Sequence, residues 1–289
     1  MKKWMSLVLA AMLLFSLAGC GKPKLQIITQ TTIPVNPMYL GNVCQGYACV
    51  VHLDDQRSSF VYIDTAGNQL SENTYDFASD FEENGKALVC KQNKYFYINT
   101  DGTVLSEASV SDFTGSDYSM FYERDEKKGL KDENNQPITE PIFVFVEGFS
   151  TKNLNEYVLA EYEKDGGFAS CLINRQGQQI SLPYNCSSAY VQGDYIHCTL
   201  TEDGKKRETV LNMNGKDILQ KTYDLVKICD KNYFAIIQDG KLGLLNSNGA
   251  EVVPPSISCD YSPDMNIGYG EGYLTISING CLAFVQLQE

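Results

Sequence analysis

Residues 240–254 read Gly240-Lys241-Leu242-Gly243-Leu244-Leu245-Asn246-Ser247-Asn248-Gly249-Ala250-Glu251-Val252-Val253-Pro254. Apolar strand formers run into Asn246, two residues intervene, Gly249 follows, and a second apolar run begins. An Asn or Asp side chain at the first turn position can accept from the backbone N–H two residues on. A Gly or Asn at the fourth position tolerates the positive φ that a bulged hairpin requires. The stretch therefore reads as strand, tight turn, strand.

The same pattern recurs along the chain. It appears as Tyr62-Ile63-Asp64-Thr65-Ala66-Gly67 and as Tyr97-Ile98-Asn99-Thr100-Asp101-Gly102. It returns as Leu130-Lys131-Asp132-Glu133-Asn134-Asn135, Leu172-Ile173-Asn174-Arg175-Gln176-Gly177 and Val210-Leu211-Asn212-Met213-Asn214-Gly215. A degenerate copy, Phe284-Val285-Gln286, lacks the turn. From Asp64 to Gln286 is 222 residues over six intervals, a mean of 37. A fixed period of this size signals a repeat architecture. Lead-in segments precede the copies, as in Tyr75–Phe81 and Tyr223–Val226. Each unit then divides into four short strands, for example Lys86–Gln92, Lys94–Asn99, Thr103–Glu107 and Ser109–Phe113, an all-β pattern. Calcium is a competing use for such turns. A calcium loop needs several carboxylates on one ion, however, and these turns offer mostly Asn and a single acid.

The stretch 240–254 resembles the WG-repeat (KWG) family of bacteria. In that family a Trp-Gly pair opens the second strand. Here Leu242-Gly243, Lys128-Gly129 and Tyr95-Phe96 stand in its place, and the only Trp is Trp4. The resemblance rests on repetition across roughly residues 46–289. It implies an extracytoplasmic or surface interaction module with no shared catalytic residue. Four strands per 37-residue unit suit a β-propeller, and residues 25–289 hold about seven units. The last unit shows only two strands of its own, Glu271–Ser277 and Leu282–Leu287. The N-terminal stretches Leu25–Gln30 and Ile33–Leu40 could supply the missing pair and remove two exposed sheet edges. The expectation is a seven-bladed β-propeller closed by N-terminal strands joining the last blade. An open β-solenoid of the same repeats is the alternative.

The N-terminus carries a different signal. Lys2 and Lys3 precede an apolar run from Trp4 to Ser16, then Leu17-Ala18-Gly19-Cys20. A basic start, a short apolar segment and small residues describe a secretory signal peptide over 1–19. The run is too short to span a bilayer. The tetrad 17–20 resembles the bacterial lipobox, which implies cleavage before Cys20, a diacylated Cys20 thiol and an acylated new N-terminus. Two or more chains anchor stably where one does not. Residues 20–24 then form a lipidated tether and 25–289 a single domain. The implied location is the cell membrane, lipid-anchored and extracytoplasmic. Gly21 carries no acidic retention signal, so an outer membrane is the destination if the source has one.

Charge narrows the partners. The chain has 289 residues with 23 Lys and Arg against 36 Asp and Glu, a net charge of −13. Without Lys2 and Lys3 the balance is 21 against 36, or −15. Such a body repels phosphate backbones, so no nucleic-acid partner is expected. It is also repelled by an anionic membrane surface, leaving the lipid on Cys20 as the membrane contact.

Ten Cys are present. With Cys20 lipidated nine remain, an odd number that disulfides cannot exhaust. Cys90 and Cys198 sit in apolar strand contexts and read as core filler. Cys44 and Cys49 are the best candidate disulfide by proximity. The two His, His52 and His197, lie at odd separations from Cys49 and Cys198, on opposite faces of a strand. No local Cys–His dyad can form, and no nucleophile elbow, phosphate loop or dinucleotide fingerprint occurs. No cofactor and no metal are expected. Tyr with Asp and Glu in 118–125 and 261–271 suits a saccharide or peptide ligand, or simply solvated turns. The expectation is a non-catalytic protein- or ligand-binding repeat module. A carbohydrate-active enzyme and a structural accessory subunit of an envelope complex are the alternatives.

Overall fold

The computed structural model describes residues 23–54, 58–109, 116–150 and 156–288. The expected signal peptide, the lipid site Cys20 and the first tether residues lie outside the described residues. Among the described residues there is no helix, and 25 strands follow one another. Among those residues no helix is therefore long and apolar enough to cross a membrane.

The chain opens with β1 (Lys24–Cys44), β2 (Tyr47–Leu53) and β3 (Ser58–Asp64), then β4 (Phe77–Ala78), β5 (Ala87–Lys91), β6 (Lys94–Ile98) and β7 (Val104–Ala108). Next come β8 (Ser116–Asp117), β9 (Phe121–Arg124), β10 (Lys127–Leu130), β11 (Phe143–Val146), β12 (Phe149–Ser150), β13 (Tyr157–Lys164), β14 (Gly167–Asn174) and β15 (Gln179–Ser181). Then follow β16 (Cys186–Gln192), β17 (Tyr195–Glu202), β18 (Lys205–Asn212), β19 (Leu225–Ile228), β20 (Tyr233–Gln238), β21 (Lys241–Asn246) and β22 (Glu251–Ser258). The chain ends with β23 (Gly268–Gly270), β24 (Tyr273–Ile278) and β25 (Cys281–Gln288). Every pairing is antiparallel, and β4–β7 and β19–β22 each make a four-stranded sheet in sequence order.

The six turns of the repeat all form as the sequence suggests. At Asn246 the side-chain Oδ1 accepts from Asn248 N and Ala250 N at 3.0 Å each, and Gly249 N donates to Asn246 O at 2.9 Å. Gly249 sits at φ 78°. In the copy without glycine, Asn135 takes the same left-handed conformation at φ 60°. A second turn type closes the inner hairpins: two consecutive positive-φ residues, such as Asp239-Gly240 between β20 and β21. That geometry matches the right-handed twist of the paired strands.

Burial explains why the strands read as continuous apolar runs. In β20, β21, β24 and β25 four consecutive residues are buried. A strand buried on one face alone would alternate; these are covered on both. The coverings are neighbouring sheets. Leu225, Ile237 and Leu242 pack with Ile267, Leu274 and Ile276. Val210 and Tyr223 pack with Val226 and Phe234, and Leu159 and Leu172 with Ile196 and Leu211. Cys49 and Tyr62 of the first sheet pack with Ala78 and Val89 of the second. Leu282 and Phe284 of the last strand pack with Val35, Val50 and Ile63 of the first three. Burying a side chain the size of Phe284 contributes roughly 2–3 kcal/mol.

The last sheet differs from the expectation in detail. It draws three strands from the C-terminal end, not two, in the order β23-β24-β25, and then takes β1. The stretches 25–30 and 33–40 are parts of one strand. Its first half pairs with β25, from Lys24 opposite Gln288 to Pro34 opposite Cys281. Its second half leaves that sheet and pairs with β2, from Val35 opposite His52 to Cys44 opposite Tyr47. Pro34, which has no N–H to donate, marks the exchange of partner. Val35 N still donates to Gly280 O at 2.9 Å. In the unit given above as four strands, the fourth member is the upstream β4. Residues 110–113 of the expected strand Ser109–Phe113 lie outside the described residues.

A candidate ligand cleft where three sheets meet

The change of partner at Pro34 carries β1 across the gap between the last, first and second sheets, and a network of polar contacts fixes it there. Asn266, which precedes β23, donates its backbone N–H to Pro37 O and its Nδ2 to Leu40 O, both at 2.9 Å. Thr275 Oγ1 of β24 donates to Gly41 O at 2.8 Å. Tyr269 N of β23 donates to Asn42 Oδ1 at 3.0 Å. Asn42 in turn gives its backbone N–H (3.0 Å) and its Nδ2 (2.9 Å) to Asp80 Oδ2, just beyond β4. One asparagine thus joins three sheets.

Two glycines allow the approach. A Cβ on Gly41 would stand 2.2 Å from Asp80 Oδ1 and 2.4 Å from Cys49 O. A Cβ on Gly268 would stand 1.9 Å from Gly41 O.

This junction forms the base of an open cleft of about 700 Å³. Its walls are Met38 and Tyr39 of β1, Val51 of β2, Ser58 and Phe60 of β3, and Phe77 of β4. The Tyr39 and Phe60 rings meet edge-on at 6.1 Å and 65°, and Phe60 and Phe77 tilt together at 5.3 Å and 46°. Tyr39, Met38 and Phe77 are 51%, 43% and 39% exposed. Large apolar side chains left in water side by side, in a concave setting, mark a binding surface more often than scattered ones do. Asp76, Asp80, Asn36 and Asn266 supply the polar lining. Burial pushes the Asp80 carboxyl above its ordinary range, against the opposing hydrogen bonds from Asn42 and the charge of Lys227 on β19.

The cleft has little equipment for covalent chemistry. Cys49 lines it, but burial, aided by the Asp80 charge, pushes its thiol well above the usual range. A protonated thiol is a poor nucleophile. Its Sγ donates to Ala78 O at 3.5 Å. His52 is not among the lining residues.

A second polar cluster lies buried between the fifth sheet (β16–β18) and the sixth (β19–β22). Glu208 Oε2 accepts from Val226 N at 2.7 Å and from His197 Nε2 at 3.1 Å, and Oε1 pairs with Lys206 Nζ at 3.0 Å. His197 Nε2 also faces Val226 O at 3.1 Å, so it carries the ring proton, and Tyr190 stacks on the ring at 4.9 Å. Burial alone would raise the Glu208 carboxyl. The His197 hydrogen bond and charge, the Val226 N–H and Lys206 outweigh it and hold the group below its ordinary range. This cluster ties β17 and β18 to β19.

The residues singled out from sequence are not brought together. Cys44 and Cys49 are both free thiols, and the β1–β2 register sets Cys44 opposite Tyr47 instead of Cys49. Cys198 faces the apolar cluster with Ile196 and Leu211 while neighbouring His197 meets Glu208. Some of the acids and tyrosines of 118–125 and 261–271 are engaged: Tyr122 OH donates to Thr139 O, Tyr269 OH to Asp230 Oδ2, and Glu271 accepts from Gln45 N and Gly46 N. Among the described residues no group of three His, Cys, Asp or Glu is placed to hold a metal ion. The cleft residues escaped sequence reasoning. Tyr75–Phe81 stood out only as a lead-in, and nothing local links it to Met38, Phe60 or Asn266.

These features define an all-β repeat protein whose first strand belongs to both its first and last sheets. The family described as WG containing repeat matches residues 62–95, from the end of β3 into β6. The match spans a single repeat of the chain. No curated protein matches it. Among solved structures, a streptogramin B lyase is similar at 9% identity, covering 92% of this chain and 98% of that one with a TM-score of 0.47. The WD40 domain of Toxoplasma gondii coronin is similar at 8% identity, 92% and 86% coverage and a TM-score of 0.45. A gluconolactonase from Xanthomonas campestris is similar at 10% identity, 93% and 90% coverage and a TM-score of 0.41. Likenesses this distant carry no inference about chemistry.

Proposed function

We propose that the chain is an extracytoplasmic lipoprotein, anchored through Cys20, whose repeats close into a seven-bladed β-propeller that binds a ligand or protein segment without chemical turnover. The observation that carries the binding role is the aromatic cleft where the three sheets meet, walled by exposed Met38, Tyr39 and Phe77. Ring closure is supported by the pairing of β1 with both β25 and β2. It is supported again by the mutual electrostatic influence of Asp80, beside β4 in the second sheet, and Lys227, on β19 in the sixth. An open stack of sheets would keep those two far apart. A carbohydrate-active reading would draw on Asp76 and Asp80. Each already serves the backbone, Asp76 accepting from Gln92 N at 2.6 Å and Asp80 from Asn42, which favours positioning over proton transfer.

Metabolic labelling with an alkyne fatty acid tests the anchor. Label is expected on the wild type and absent from Cys20→Ser, which should leave the membrane fraction. Unlabelled, soluble wild-type protein would overturn the anchor. Peptide and glycan arrays probed with the full mature protein test the binding role. Binding weakened by Phe77→Ala is expected, and release of a cleaved glycan product would overturn the non-catalytic reading.

A further inference from the structure

We infer that the cleft takes the cationic side chain of a Lys or Arg residue presented by a basic peptide segment of a protein partner. The inference rests on the reading of the cleft as a binding site and names the chemistry of its occupant.

The walls come first. Tyr39, Phe60 and Phe77 set three rings at 65° and 46° to one another around the opening, with Met38 beside them. Ring faces attract a cation through their quadrupole, and rings set at angles present faces from several directions. The same rings and the Met thioether bury an aliphatic stem.

The polar lining favours a cation over a neutral ligand. It offers two carboxylates, Asp76 and Asp80, against two small neutral donors, the Asn36 amide and the Ser58 hydroxyl. Its other amides are committed. Asn266 Nδ2 is held by Leu40 O, and the Asn42 amide beneath is held by Asp80. A sugar hydroxyl needs donors as well as acceptors. An ammonium or guanidinium group donates only. Among the described residues no Lys, Arg or His lines the cleft. Lys227 acts on Asp80 from β19, outside the lining of the cleft. An incoming cation would supply the charge that buried Asp80 lacks.

The partner follows from size and charge. About 700 Å³ is more room than one side chain fills, which leaves space for flanking residues of a peptide. A body of net charge −13 draws a basic partner from a distance and repels an acidic one.

The test uses the full mature protein in detergent. Resonances of Tyr39, Phe60 and Phe77 are followed by NMR as n-butylammonium, n-butylguanidinium and n-pentanol are titrated in. The same protein is then titrated with nonapeptides of Gly and Ala carrying one central Lys, Arg or norleucine. Both cations are expected to bind at least about fivefold more tightly than the alcohol, and Lys and Arg peptides more tightly still. Asp76→Asn and Asp80→Asn should each erase most of the preference for cations. Phe77→Ala should weaken every ligand about two- to fivefold. Because Asp80 also holds Asn42, Asp76→Asn and Phe77→Ala decide the matter if Asp80→Asn fails to fold. Equal binding of alcohol or norleucine peptide, lost in Phe77→Ala, would overturn the cation inference and leave the cleft as a binding site. Cations that bind as fragments but no better as peptides would overturn the peptide occupant. No perturbation of the three rings by any ligand would overturn both readings.

Discussion

The sixth sheet (β19–β22) and the β23-β24-β25-β1 part of the last sheet each set four strands side by side, yet they are assembled differently. The sixth takes β19–β22 from residues 225–258, each strand beside its chain neighbour. The last takes β23–β25 from residues 268–288 and its fourth strand from the other end of the chain. The ladder chemistry is the same in both. The difference is entropic: pairing Lys24 with Gln288 encloses almost the whole domain, whereas Gln238 and Lys241 are joined by a two-residue turn. Turns alone can specify the sixth sheet. The last sheet needs side chains that make the distant strand worth ordering, and Leu282, Phe284, Val35 and Leu40 supply them in a shared core.

The largest expected effect tests that difference. Deleting residues 24–34 strips β25 of its partner and opens the apolar cluster beneath. The expected loss is on the order of 5 kcal/mol or more, comparable to the whole stability of an ordinary domain, so the cooperative thermal transition should vanish. Deleting 1–23 should leave the transition of the folded body in place. Survival of a sharp transition without 24–34 would show that the last sheet is as self-sufficient as the sixth.

Next come matched truncations. Phe284 in β25 and Phe234 in β20 are both fully buried. Each change to Ala should cost about 3–5 kcal/mol by urea denaturation. Phe284→Ala and Val35→Ala, which open the same cluster, should together cost less than the sum of the two. Additivity there would break the account of the shared core. Smaller again is a pair of glycines. Gly268→Ala must push backbone aside, since its Cβ would meet Gly41 O at 1.9 Å, and should cost about 2–3 kcal/mol. In the sixth sheet Gly243→Ala meets Pro255 N at 2.9 Å, a milder clash, and should cost about 1–2 kcal/mol.

The same contrast explains what the sequence could reveal. Asn246-Ser247-Asn248-Gly249 and its five relatives specify their turns within six residues, so period, strand class and hairpins were legible from the chain alone. The innermost strands were not. Phe77–Ala78 is two residues long, and pairing with Cys90 and Val89 makes it a strand. No local pattern can show that. The stretches 25–30 and 33–40 read as two strands, but the backbone of β1 remains extended through both because successive sheets supply its partners. The cleft was the least legible of all. Met38, Phe60, Phe77 and Asn266 are ordinary residues in sequence and become a site only after folding brings their strands to one place.

The smallest expected effect lies in the pH dependence of stability, where one carboxylate from each region titrates in the opposite sense. Asp80 belongs to the junction with the last sheet, and burial raises its folded pKa. The folded protein then holds that proton more tightly than the unfolded chain. The contribution is complete below the ordinary Asp range and is lost as pH rises through the raised value. Glu208 lies between the fifth and sixth sheets and is held below its ordinary range despite burial, chiefly by His197. Its contribution is complete above the ordinary Glu range and is lost as pH falls through the lowered value. Urea midpoints measured from about pH 3 to pH 7 should therefore change slope in opposite directions in the two variants. Asp80→Asn should flatten the decline on the rising side, and Glu208→Gln should flatten the acid limb. If both variants bend the curve the same way, the two carboxylates share one environment, and the distinction between a sheet closed by turns and one closed by a distant strand does not extend to their electrostatics.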